Sequence, residues 1–216
     1  MRALTQAVLL AALLPPVGAQ GQKEPPPAPP PAPVYRGVYA AIDLKPSQDL
    51  MRRLASNASG TRWPAIRQVL KDPASHMPPV LYALANALAD DNTEQAVFWY
   101  HVARLRAVYD ALRCRDVTSR HAVTLLGKQL SMTLRSAQFY QRGNLVLIAQ
   151  RAVDWDASHP RNYDHRWVAL FGEVAGKSPG TDPGEVTVPE SEWPALLKRT
   201  HEAHLKAVAA FANEKK

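Results

Sequence analysis

The chain has 216 residues, of which 46% are apolar and 21% charged, and its net charge is +7. That apolar fraction supports a packed core and excludes a wholly disordered chain. A single cysteine excludes an internal disulfide framework and any zinc site built mainly from thiolates.

Met1-Arg2 precedes the apolar run Val8–Leu14, then Pro15-Pro16 and the small or apolar residues Val17-Gly18-Ala19. A short positive start, a brief apolar core and suitable residues at −3 and −1 predict a cleavable secretory signal over residues 1–19. The run falls short of the ~20 apolar residues needed to span a bilayer, so no stable membrane insertion is expected after cleavage. The predicted compartment is periplasmic or secreted. Residues 20–45 read as a proline-rich linker. Pro25–Pro33 lacks most amide donors and is held near one φ, which predicts a polyproline II spacer of roughly 30 Å.

Residues 46–216 read as one helical domain, because apolar residues recur there at three and four and no alternating run stands out. Pro46-Ser47 opens a helix to about Asn57, with Leu50, Leu54 and Ala58 in register, and Trp63–Leu70 forms a second. Pro78-Pro79 opens a third, carrying Leu81, Leu84, Ala85 and Leu88 on one face. Thr93 is the expected N-cap of a long helix over about 94–115. That helix carries a small stripe (Ala96, Tyr100, Ala103, Ala107, Ala111, Cys114) and a large one (Phe98, Val102, Leu105, Tyr109, Leu112). Two apolar stripes predict contacts on two sides, hence a central helix. Ser119–Phe139 reads as one helix, and Leu145, Ile148, Ala149 and Ala152 mark the next. Trp155–Pro160 reads as a turn, Tyr163–Val174 as a helix, and 177–188 as a loop. A last helix runs from Pro189 to about Asn213. The fold class is all-α: a compact antiparallel helical bundle of seven to eight helices.

Ala83-Leu84-Ala85-x-x-Leu88, a polar turn, then Glu94-Gln95-Ala96-Val97-Phe98-Trp99-Tyr100-x-x-Ala103 resembles a SEL-type repeat, a relative of the tetratricopeptide class. The resemblance spans about residues 79–106, with an acidic turn at Asp90 where that family has glycine. It implies one repeat-like helix pair and protein binding rather than catalysis.

Charge is unevenly placed. Residues 102–151 hold nine basic residues against Asp110 and Asp116. Arg104, Arg106, Arg113, Arg115, Arg120, Lys128 and Arg135 are the candidate partner-binding face, and such a field steers an anionic partner. In an exported protein without exposed aromatics between the arginines, an acidic protein, or else an anionic envelope polymer, is the expected partner and nucleic acid is not. The competing reading is that these arginines complement helix ends and face water.

No cofactor, metal or catalytic set is expected. Cys114 sits on the small inner stripe and reads as a buried apolar group, although flanking Arg113 and Arg115 would lower its pKa if it were exposed. His201 and His204 are spaced i, i+3 as two metal ligands would be, yet they also align with Leu197, Val208 and Phe211. Asp154, Asp156 and Asp164 offer carboxylates for acid–base work on a glycan, or act as caps around a helix break. The reading is therefore a non-enzymatic binding protein of inhibitor or immunity type. A scaffold or assembly factor of the cell envelope is the alternative, with a glycan-active enzyme behind it.

Overall fold

The computed structural model describes residues 34–178, 180 and 182–214, so the predicted signal over 1–19 and most of the proline-rich segment lie outside the described residues. Nine α-helices occur among them: α1 (Lys45–Leu54), α2 (Ser59–Lys71), α3 (Pro78–Leu88), α4 (Thr93–Arg113), α5 (His121–Lys128), α6 (Met132–Tyr140), α7 (Leu145–Ser158), α8 (Glu173–Lys177) and α9 (Trp193–Asn213). Short 3-10 turns join several of them, and no strand is formed among the described residues. The all-α class holds, with one or two more helices than the periodicity predicts. None of these helices is long and apolar enough to cross a membrane.

The long central helix is as expected. α4 packs against α3, α5, α6, α7 and α9, and members of both apolar stripes are buried, among them Ala96, Ala103, Ala107, Val102 and Leu105. Its N-cap is Asn92 rather than Thr93: the Asn92 side chain accepts from the Gln95 N–H. At its other end the 177–188 loop returns as a single antiparallel bridge, with Arg115 N–H donating to Val186 O and Val188 N–H to Arg113 O. The orphan carbonyl of Arg113 at the C-terminus of α4 is satisfied there.

Four boundaries move, each for a local reason. The folded body takes in residues assigned to the linker, because Tyr39 and Ile42 are buried in the core. α1 stops at Leu54 and leaves Ala58 exposed. The single helix expected over 119–139 is broken between α5 and α6. Asn86 of α3 reaches into the break, donating to Gln129 O and accepting from the Ser131 N–H, and Ser131 caps α6 at Leu134. Leu126, Leu134 and Ala137 stay inward on both sides, so the apolar spacing conceals the interruption. α7 runs through Trp155 and Asp156, because Asp156 takes the next inward place after Ile148 and Ala152. A carboxylate in that place hides the continuation from hydropathy.

The helix expected over 163–174 is instead a 3-10 run, His165–Phe171, followed by the short α8. Gly172 separates them and lies so close to the Asp116 carboxylate that a Cβ would collide with it. Asp116 accepts from Val174 N–H and Thr118 N–H, tying the two turns together.

Trp99 is buried on α4, edge-on to Phe98 at 5.0 Å and to Trp155 of α7 at 5.3 Å. Trp99→Ala is expected to lower unfolding free energy by ~3–5 kcal/mol as a large-to-small core change. Urea unfolding followed by far-UV circular dichroism measures it, and a loss under ~0.5 kcal/mol would place the indole on the surface.

Candidate functional site

Much of the expected basic face is turned inward. Arg106 is 0% exposed, and its Nε donates to Asp156 Oδ1 at 2.9 Å. Its remaining donors reach the carbonyls of Ala74, His159 and Pro160, while the guanidinium lies over the Trp155 ring at 4.7 Å. Asp156, itself fully buried, also accepts from Arg161 and pairs with His201 Nε2 at 2.8 Å. Burial works to raise its carboxyl, but the His201 bond and the charges of Arg161 and Arg106 prevail and hold it below the ordinary value.

Arg113 is likewise buried. It pairs with Asp110, and its guanidinium sits between the Tyr109 ring at 4.2 Å and the Trp193 ring at 4.7 Å. Asp110 also accepts from Trp167 Nε1 at 2.8 Å and from the Tyr163 hydroxyl. Burial pushes its carboxyl up to about 6, against the pull of Arg113 and those donors. Arg106 and Arg113 are therefore struck from the partner-binding face: Arg106 holds α4 to α7, Arg113 packs on Trp193 of α9, and its partner Asp110 holds α4 to the 165–171 turn. Desolvating a guanidinium is tolerable only with a carboxylate and further acceptors around it, and this cluster supplies both.

Two more candidates are committed at the surface. Arg115 donates to Thr187 O and pairs with Glu185. Arg135 spends its donors on the carbonyls of Gly127, Lys128 and Leu130, closing the end of α5. Arg104, Arg120 and Lys128 remain, with no carboxylate at ion-pair distance among the described residues. Arg120 and Lys128 are exposed, and Arg104 is half-buried.

His201 and His204 do not act together. His201 faces Asp156, whereas His204 Nε2 lies 3.1 Å from His101 Nδ1 of α4. Burial, and then the nearby charge of Arg104, pushes His204 down to about 4; burial, then His204 and Arg104, pushes His101 down to about 3. The pair is neutral at physiological pH. Both rings line a cavity of about 290 Å³ between α4, α6 and α9, shared with Arg104, Tyr100, Gln138 and Phe211. No group of three or more His, Cys, Asp or Glu residues among the described residues is placed to hold a metal.

Cys114 is buried, and burial raises its thiol above the ordinary value, so it is a poor nucleophile. The carboxylates considered for acid–base work are dispersed: Asp156 is locked by arginines, Asp164 caps its turn and pairs with Arg166, and exposed Asp154 accepts from Gln150.

The surface feature that the apolar spacing did not single out is the α6–α7 hairpin. Tyr140 is 86% exposed, Leu147 62% and Phe139 58%, with Val146 beside them. Phe139 meets Phe211 of α9 edge-on at 5.3 Å, so this apolar tip joins the rim of the α4–α9 cavity. The signal was present in the sequence as a run, residues 117–153, without one Asp or Glu.

The chain matches no known protein family, and no characterised protein or solved structure is significantly similar to it.

Proposed function

We propose that the chain is an exported, non-enzymatic binding protein of inhibitor or immunity type that docks an acidic protein partner on the α6–α7 hairpin. The observation that carries this reading is the exposure of Phe139, Tyr140, Val146 and Leu147 together, inside a 37-residue run without a carboxylate. An exposed apolar cluster of this kind marks a contact surface. The hairpin segment carries no carboxylate of its own, although Arg142 pairs with Glu214 and Arg151 with Glu94, and its net positive charge favours a negatively charged partner and raises its encounter rate. Arg120 and Lys128, both exposed and without an ion pair among the described residues, supply positive charge from the same run. The repeat-like α3–α4 pair and the leader-like residues 1–19 accord with a secreted protein-binding module. An enzymatic reading finds Asp156 and Asp164 already engaged by arginines, and Asp154 exposed beside Gln150.

The test is quantitative capture. Mature chain immobilised through its C-terminus is expected to retain one acidic protein from a periplasmic extract at stoichiometric level. The double variant Tyr140→Asp, Leu147→Asp should lose that protein while keeping the parent circular dichroism spectrum. Equal capture by parent and variant at physiological salt would sink the docking surface. If the captured protein is an envelope component rather than a toxin or hydrolase, the assembly-factor reading takes over, with the 25–33 spacer providing reach.

A further inference from the structure

Arg104 is the one arginine of α4 left without an internal anion among the described residues, and its position is built rather than incidental. α4 also carries Arg106 and Arg113, each buried against an aspartate. Arg104 is half-buried, with the Tyr82 hydroxyl as a neutral neighbour but no carboxylate paired with it among the described residues. It stands between two cavities, of about 290 Å³ and about 270 Å³, which share Arg104, His204 and Ala207 in their walls. No carboxylate lines either cavity, and a second arginine, Arg199, lines the smaller one. Partial desolvation of a cation without a paired anion is unfavourable, so such a group gains most from an anion brought in from outside.

A second observation concerns hydrogen bonds. His101 is 2% exposed, and its Nε2 has no hydrogen-bond partner. Its Nδ1 is used on His204 Nε2. Each neutral ring carries one proton, and one of those protons bridges the pair. In either tautomer, one of the two outer nitrogens then bears an N–H that the pair itself does not use. A cavity wall that includes a guanidinium and the edge of a neutral imidazole pair suits a carboxylate, which accepts from donors of both kinds. Apart from Gln138, the rest of the larger cavity is Leu145, Ala207, Val208, Phe211 and the Tyr100 ring, which favours an apolar body attached to that carboxylate.

We propose that the cavity between α4, α6 and α9 is a binding site for a carboxylate borne on an apolar or aromatic body, held by Arg104 with the His101–His204 pair beside it. The carboxylate belongs either to a free small acid or to the C-terminus of a polypeptide; the chemistry recognised is the same. The site does not depend on the hairpin surface proposed above, although the two meet at Phe211.

The experiment titrates the mature chain with phenylacetate, with phenylacetamide as its neutral isostere, and with acetate as the acid lacking an apolar body. Calorimetry and the ring signals of His204 in nuclear magnetic resonance spectra are the readouts. Phenylacetate is expected to bind saturably and shift the His204 signals, with phenylacetamide and acetate much weaker. Arg104→Gln should weaken phenylacetate binding about ten- to a hundredfold, and Arg104→Lys should recover part of it. The same titration on Tyr140→Asp, Leu147→Asp should be unchanged, so loss of partner capture and loss of acid binding report on different claims. A short peptide ending in a free phenylalanine carboxylate, set against its C-terminal amide, separates the sources. Competition by the free acid form alone identifies a chain terminus, and exclusion of both peptides identifies a small acid. Equal binding of phenylacetate and phenylacetamide, indifference to Arg104→Gln, or no binding of phenylacetate would each overturn the assignment.

Discussion

Asp156→Asn is expected to lower unfolding free energy by about 3–5 kcal/mol, because it removes the charge that compensates Arg106 while leaving that guanidinium fully buried. The substitution hardly alters volume, so the loss would not come from a cavity. Arg161 and His201 lose the same acceptor, and the α7–α9 contact through His201 weakens with them. Two comparisons isolate the cause. Arg151→Ala, which deletes a pair with Glu94 exposed on both sides, should change stability by less than ~0.5 kcal/mol. Replacing both buried partners at once, Arg106→Met with Asp156→Leu, should recover part of the loss, since Arg106 is no longer an orphaned charge while Arg161 still lacks its acceptor. Urea unfolding midpoints with unchanged slopes measure all three. If Asp156→Asn stayed within ~1 kcal/mol of the parent, Arg106 would have to be reached by water, and the account of the inward-facing arginines would fail.

How much of this was legible differs by element. α3 was legible almost to the residue, because Pro78-Pro79 opens it and Leu81, Leu84, Ala85 and Leu88 sit on one face. α4 was legible as a central helix because its apolar residues form two stripes, and burial on both sides follows. The same fact contained the correction to its arginines. A helix apolar on two flanks has little perimeter left for water, so Arg106, Asp110 and Arg113, one turn apart on a third line, had to be enclosed as well. Their partners were not legible: Asp156 lies 50 residues from Arg106, and Trp167 lies 57 from Asp110. Charge taken in sequence blocks counts such arginines as surface, whereas only packing shows which have been paired. The α5–α6 break was invisible for another reason, since leucine spacing survives an interruption that Asn86 bridges from a different helix. Of the candidate site, Arg104 and the histidines were visible as residues, but the His101–His204 contact joins positions 103 apart. Hydropathy had no means of bringing them together.

Stability is expected to fall steeply as pH drops below about 6.5, and the titrating groups fix the sign. His101, His204 and His165 have folded values of about 3, about 4 and about 4, against 6.5 for an unperturbed imidazole. Burial is the chief cause for all three, with Arg104 adding to it beside His204 and Arg113 beside His165. A depressed folded value means that, between about 6.5 and about 4, the unfolded chain binds protons that the folded chain refuses. Stability therefore rises with pH across that window and is lost as pH falls through it. Asp110 opposes this, because its raised value near 6 lets the folded chain keep a proton that the unfolded chain releases near 3.8, so its contribution fades as pH rises between those limits. Three imidazoles against one carboxyl leave the histidine sign in control. A net loss of about 2–4 kcal/mol between pH ~7 and pH ~4.5 follows from the His101–His204 pair less the Asp110 term, at ~1.4 kcal/mol per unit of differential shift. Below that, Asp156, Asp116 and Asp164, all held under the ordinary carboxyl value, take protons and add to acid unfolding. Urea midpoints across this range test the curve, and His101→Phe with His204→Leu should flatten it while leaving the Asp110 contribution in place. A midpoint that stays level from pH ~7 to ~4.5 would mean that the two rings are open to water in the folded protein, and the cavity beside Arg104 would then be too wet to hold a carboxylate against solvent.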